Sequence, residues 1–404
     1  MDQTRLDQQL ASSAQDGDLA AVSTLLEQGA DPLFDESSAL RHAAFHGRAE
    51  CVNLLLPISN PKDQESFALR CAASNGHAEC VKRLIPFSAP DDFSSALRNA
   101  SFGGHVECVK LLISTCDPAS NFSLALRSAA GKGHAECVRL LLPFSEPRDK
   151  DSAALSAAAR GGHLECVELL IPVSDPKAEH SYALRRAARN SYVDCANILV
   201  AVSDPRAYGS AALRHAASNG DEGLLQTLIP ISDPKAQSSL ALLWAALNGH
   251  AECVQLLIPV SDCDAEDSYA LRAAAGQGHA ACVKLLLPAS NPKDLNSEAL
   301  KDAAKHGHAD CLRLLIPLSD PLLECPEIFS RALLSGHAEI AAILLDSEPR
   351  LAAGVDLYEA LSTSVAKGHV GLAALLRSTI DRHILSQAIS SPPDLGPPSK
   401  PARL

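Results

Sequence analysis

Imidazole and thiol groups stand three residues apart at His77 and Cys80, His105 and Cys108, His134 and Cys137, His163 and Cys166, His250 and Cys253, His279 and Cys282, and His308 and Cys311. Both are zinc ligands, but each pair supplies only two of the four that a structural site needs. No Cys-x-x-Cys completes a set. We therefore expect no metal. Nor does the chain carry a Gly-rich phosphate loop, a Gly-x-Ser-x-Gly elbow or a His-Glu-x-x-His pair. Its carboxylates recur at even intervals, whereas catalysis needs one unique cluster. The expectation is a protein that is not an enzyme and has no cofactor.

A second row is basic. Arg41, Arg70, Arg98, Arg127, Arg185, Arg214, Arg272 and Lys301 occupy one slot of successive units. Each arginine could bond the neighbouring connector, with Asp175, Asp204 or Asp233 as partners, or the row could form a stripe for an acidic ligand. Regular repetition favours the first reading. The next slot varies freely, through His42, Cys71, Asn99, Ser128, Ala157, Arg186, His215, Trp244, Ala273 and Asp302. Specific recognition requires positions that differ between units, and Trp, Tyr and Arg dominate interface hot spots. The sole tryptophan, Trp244, lies in this slot, close in sequence to Tyr182, Tyr208 and Tyr269. The pattern is also broken nearby, at Asn190–Asp194 and at Asp221–Gly223. We take Tyr182, Arg185, Arg186, Tyr208, Arg214, His215, Trp244 and Arg272 as the candidate partner-binding residues. The competing reading makes Trp244 a gap-filler in an imperfect unit.

The elements that position these residues are copies of one unit. Gly220, Gly249, Gly278 and Gly307 stand 29 residues apart, and the same spacing runs back to Gly47 except that Gly76 to Gly104 is 28. Ser191 fills the one vacant slot. A fixed period of this size marks a solenoid, in which stacked units share one continuous core. Within one unit Ala68, Leu69, Ala72 and Ala73 make the apolar stripe of a short helix. Ser66 precedes it as a predicted N-cap, and a serine holds that place in ten successive units from Ser37 to Ser297. Gly76 supplies the left-handed residue that ends the helix. The second helix starts with Glu79, carries Cys80, Val81, Leu84 and Ile85 inward, and stops at Pro86. Nine cysteines, from Cys51 to Cys311, fall four residues after their reference position. Equivalent cysteines on helices about 8–10 Å apart cannot bridge, because a disulfide needs Cα atoms within about 7 Å. They are expected to be buried, reduced thiols. Small alanines on the first helix and larger residues on the second predict curvature with the first helices on a concave face.

The run Ala-Leu-Arg-x-Ala-Ala-x-x-Gly-His-x-Glu-Cys-Val-x-Leu-Leu resembles the ankyrin repeat over about residues 5–380. The N-terminal unit is nearest to the family pattern, with Gly17-Asp18-Leu19 followed by Leu25-Leu26-Glu27-Gln28-Gly29-Ala30-Asp31-Pro32. The internal units are about four residues shorter than usual, open with Ser-x-Ala-Leu-Arg and end in Pro-x-Ser-Asp-Pro. The resemblance places the histidine in the turn between helices and the cysteine at a buried valine position. It implies an all-α, right-handed-stacked solenoid of helix-turn-helix units. Counting the degenerate ends gives about thirteen, and the shortening, a departure from the family's long β-hairpin fingers, predicts short connectors with little or no β-hairpin. We expect a capping unit at 1–35, internal units at 36–345, an irregular capping unit at 346–390 and a Pro-rich disordered tail at 391–404. The tail holds Pro398, Pro401 and Arg403 in a Pro-x-x-Pro-x-Arg pattern.

A net charge of −13 argues against nucleic acid as partner. No apolar run suits a membrane span, and residues 1–17 lack the apolar core of a signal peptide. The expectation is a cytoplasmic monomer that binds another protein or peptide through its concave face. Near-identical internal repeats also resemble bacterial ankyrin proteins, some of which act in a host cytosol. A structural spacer without a ligand is the alternative.

Overall fold

Each short apolar stripe can bury itself only against its neighbours, and the chain satisfies this by pairing and stacking helices. The computed structural model describes residues 3–115, 122–318, 328–330, 332–347 and 356–390, and no strand occurs among them. Gln3–Asp16 pairs with Leu19–Glu27, Phe34–Phe45 with Ala49–Leu55, and Asp63–Ser74 with Ala78–Leu84. The same pairing continues to Asp294–His306 with Ala309–Leu315. Leu357–Ala366 is followed by Val370–Ser390, which at 21 residues is far longer than the second helices before it. Of the expected irregular capping unit, residues 348–355 lie outside the described residues, as does the whole of the Pro-rich tail.

By internal contacts the chain separates into two compact units, Met1–Ala212 and Leu213–Leu404. In the first, the helices Phe34–Phe45, Asp63–Ser74, Phe93–Gly103, Phe122–Lys132, Asp149–Gly161 and Ala178–Arg189 each pack on the next. Their seven- or eight-residue partners, Ala49–Leu55 through Val193–Val200, form a second row. In the second unit Ala236–Leu247, Ala265–Gln277 and Asp294–His306 stack likewise, beside Glu222–Leu228, Ala251–Leu257, Ala280–Leu286 and Ala309–Leu315. The core has the expected makeup: Ala68, Leu69, Ala72 and Ala73 face Cys80, Val81 and Leu84, all buried. All nine periodic cysteines are free and at most 1% exposed. Burial raises the Cys80, Cys108 and Cys137 thiols to about 11, so they remain protonated.

Proline does not simply stop the second helix. Pro86 sits inside a 3₁₀ turn, Ile85–Phe87, that tightens the last α-turn before the connector, and Pro143 does the same in Leu142–Phe144.

The serine expected as an N-cap has a different role. Gln64, Glu65 and Ser66 are all left-handed, at φ 51°, 56° and 50°, so the first helix is entered through a reversed turn. The same triplet occurs at the serines 37, 152, 181, 210, 239, 268 and 297. No side-chain capping bond is made at the start of this helix. Instead Ser66 is buried, and its Oγ accepts the backbone N–H of Ala89 at 3.0 Å and donates to the Asp92 carboxylate at 2.7 Å. Ser37 holds Asn60 and Asp63 in the same way, and Ser181 and Ser239 accept the N–H groups of Asp204 and Asp262 at 2.8 Å. Ser37, Ser66, Ser152, Ser181, Ser239 and Ser268 thus staple their helices to the connector that leads into the following repeat. A non-glycine left-handed residue costs about 1–2 kcal/mol, and satisfying a buried connector N–H offsets part of that. The repeat one residue shorter, entered at Phe93, has no left-handed triplet and uses a 3₁₀ turn, Pro90–Asp92, in its place.

Glycine and histidine form the second lock. Gly47 has φ +73°, and a Cβ there would lie 2.5 Å from Nδ1 of His77, one repeat on. The imidazole lies over the bare glycine and places Nε2 3.0 Å from the Phe45 carbonyl. A carbonyl can only accept, so Nε2 carries the proton. The pattern repeats with His105 on Ser74, His134 on Phe102, His250 on Ser218, His279 on Leu247 and His308 on Gly276. Each histidine satisfies a carbonyl that the preceding first helix leaves open at its C-terminus. Where the Gly-His pattern breaks, Tyr192 takes the same place against Gly162.

Candidate functional site

The ladder arginines leave the first helices one turn after their left-handed entry, so the nearest open acceptors are the carbonyls of that entry. Arg41 Nη2 donates to the Asp35 carbonyl at 2.6 Å and to its carboxylate at 3.0 Å. Arg70 Nη2 donates to the Gln64 carbonyl at 2.8 Å. Arg185 donates from Nε to His180 and from Nη2 to Glu179, at 3.1 and 2.8 Å. This corrects the expected connector aspartates for these arginines, which close the turn of their own repeat. Asp175 and Asp204 instead accept the N–H groups of Lys177 and Arg206 two residues on, as turn-forming aspartates do. Arg214 is held by the Gln237 side chain.

Within Met1–Ala212, four of the candidate residues meet. Arg185 lies between two tyrosine rings of adjacent repeats, 5.3 Å from the Tyr182 centroid and 4.7 Å from Tyr208. Arg186 covers Tyr182 at 4.7 Å and donates to its hydroxyl. Tyr208 stands in a left-handed entry at φ 54° and is 63% exposed. Cation–π contacts of this kind are worth about 0.5–1 kcal/mol at exposed sites. They hold the side chains in place.

Within Leu213–Leu404, Trp244 is 41% exposed on the helix Ala236–Leu247. Among the described residues its indole has no hydrogen-bond, ring or cation partner. Arg214, His215 and Arg272 are half-buried on neighbouring first helices of the row, and Arg272 lies 5.1 Å over the Tyr269 ring. Leu240 and Leu243 open onto an apolar recess of about 350 Å³ with Cys263 and Tyr269.

A feature that sequence reasoning missed is what happens where the basic row is interrupted. It skips two repeats, at Ser156 and at Leu243, and both positions line recesses. The one over Ser156 has a volume of about 420 Å³ and lies wholly within Met1–Ala212. In intact repeats the arginine side chain is packed down, 16% exposed at Arg41 and 24% at Arg70. A serine or leucine leaves that space open. The interruption itself was the available signal.

The His-Cys pairs point apart in function: the imidazoles engage carbonyls while the thiols are buried in the second-helix row. Among the described residues no group of three or more His, Cys, Asp or Glu is placed to hold a metal ion. Among the described residues no helix is long and apolar enough to cross a membrane.

A family model described as ankyrin repeats, in three copies, matches the chain in overlapping windows. They run from 9–93 through 155–239, and then over 213–298 and 242–325. Among solved structures, the human ASB11 ankyrin repeat domain is similar at 24% identity and TM-score 0.35, over 43% of this chain and 95% of that one. No curated protein matches.

Proposed function

From the premise that this chain belongs to the ankyrin-repeat family, whose repeats are generally protein–protein interaction modules, we propose that it binds a partner protein through the exposed face of its first helices. Trp244 carries the reading. A 41% exposed indole, with no hydrogen-bond, ring or cation partner among the described residues, leaves apolar surface in water that a partner could cover. The slot varies between repeats, from Ser128, Ala157 and Ala273 to Arg186 and His215, and Trp244 is its largest apolar occupant. In the second unit Trp244 is the anchor, supported by Arg214, His215 and Arg272. In the first, Tyr182, Arg185, Arg186 and Tyr208 present a stacked aromatic–guanidinium cluster suited to carboxylates and backbone carbonyls. The chemistry is recognition rather than catalysis, and a cytoplasmic or host-cytosolic setting accords with reduced, buried thiols.

Affinity capture with the intact chain, followed by binding measurements on the partner recovered, tests this. Trp244→Ala should weaken binding by about thirtyfold or more, the ~2 kcal/mol typical of a buried aromatic anchor. Its melting temperature should stay near that of the parent. Unchanged affinity together with a destabilised array would make Trp244 a packing residue and refute the assignment.

A further inference from the structure

We propose that the recess over Ser156 receives an acidic segment of the partner protein. This rests on the protein-binding reading above and adds the chemistry of the ligand. Four cations line the recess, Arg127, Lys150, Arg160 and Arg186, against two carboxylates, Asp151 and Glu179. Its local charge is therefore +4 − 2 = +2, in a chain whose net charge is −13. Among the described residues, no hydrogen bond or ion pair engages the charged ends of Arg127, Lys150 or Arg160. Arg186 gives one bond to Tyr182, and its Nε is buried without an acceptor. On the second helices, by contrast, Arg83 pairs with Glu50 and Glu79, Arg139 with Glu136 and Glu165, and Arg313 with Asp310 and Glu339. The cluster at Ser156 thus concentrates unsatisfied donors where the ladder arginine is absent.

The cations come from three successive first helices, Phe122–Lys132, Asp149–Gly161 and Ala178–Arg189. Such helices are about 8–10 Å apart. An extended peptide advances about 3.3 Å per residue, so roughly every third residue meets a new repeat. A segment bearing carboxylates at that spacing can pair with Arg127, Arg160 and Arg186 together, which a single small acid cannot do. Tyr182 supplies a ring edge against which the peptide backbone can pack.

The experiment uses the full chain and a fluorescent oligoglutamate of about ten residues, enough to cross three repeats at about 3.3 Å per residue. Anisotropy should show saturable binding that weakens with salt, and an oligoglutamine of equal length should not bind. Ser156→Arg is the discriminating variant. It adds a positive charge yet restores the ladder side chain that closes the recess, so affinity should fall about tenfold or more. Diffuse electrostatic attraction would make the same variant bind more tightly, and that result overturns the proposal. Arg160→Gln changes an exposed side chain and Arg186→Gln a half-buried one. Each should lower affinity about tenfold with little change in melting, which keeps the test decisive if Ser156→Arg folds poorly. Failure of the parent chain to bind oligoglutamate refutes the acidic-ligand assignment while leaving the Trp244-dependent capture result intact.

Discussion

Gly249→Ala should damage two adjacent repeats through a single methyl group. Gly249 has φ +78°, a conformation that costs an L-residue about 1–2 kcal/mol. The added Cβ would also lie 2.6 Å from Nδ1 and 2.7 Å from Cε1 of His279. The ring must move, and its Nε2–H donation to the Leu247 carbonyl at 3.1 Å is lost. A net hydrogen bond contributes about 0.5–1.5 kcal/mol, so the substitution should cost about 1.5–3.5 kcal/mol in total. In a His279→Ala background the ring and its bond are already gone, and Gly249→Ala should then cost only the conformational ~1–2 kcal/mol. Urea unfolding of the four proteins, followed by circular dichroism, measures the coupling directly. Additive costs would show that the imidazole does not depend on the bare glycine. A negligible cost for Gly249→Ala alone would refute the left-handed assignment as well.

Ser239→Ala should cost about 1–2 kcal/mol by leaving the Asp262 N–H unsatisfied. Ser239→Gly should cost less than Ser239→Ala, since it relieves φ 57°; the reverse order would restore the capping role. Leu295 is 50% exposed at φ 49°, so Leu295→Gly should stabilise the array by up to about 1 kcal/mol, and a loss of stability would argue against the reversed turn. Cys137→Val should preserve the fold, while Cys137→Ala should lower stability by about 1–2 kcal/mol for the lost volume. Its folded thiol is raised from 9.0 to about 11 by burial. Above pH 9 the unfolded chain therefore releases a proton that the folded chain retains, and stability should fall as pH climbs from 9 towards 11. Cys137→Val should shallow that decline, and an unchanged pH profile would mean the thiol is not desolvated.

Some of this architecture is local and so was written in the chain. The 29-residue spacing of Gly220, Gly249, Gly278 and Gly307 fixes a repeat, and the stripes at Ala68–Ala73 and Cys80–Leu84 fix two short helices with their inward faces. A glycine after the first helix needs positive φ whatever surrounds it, and a cysteine spaced with Val and Leu must be buried with them. Other assignments depend on what lies one repeat away, and there the local reading misplaced the partner. Ser66 sits where an N-cap should, yet its hydroxyl goes to Ala89 and Asp92 because the chain enters the helix left-handed. Arg185 carries the spacing of a connector contact but closes its own turn. The histidine bridge to a carbonyl 32 residues earlier and the recess over Ser156 arise only when helices are stacked. Sequence sets the period and the buried faces because these follow from dihedral preference and hydrophobicity along one segment. Which acceptor a polar side chain finds, and where a missing side chain leaves room, are decided by the neighbouring repeat.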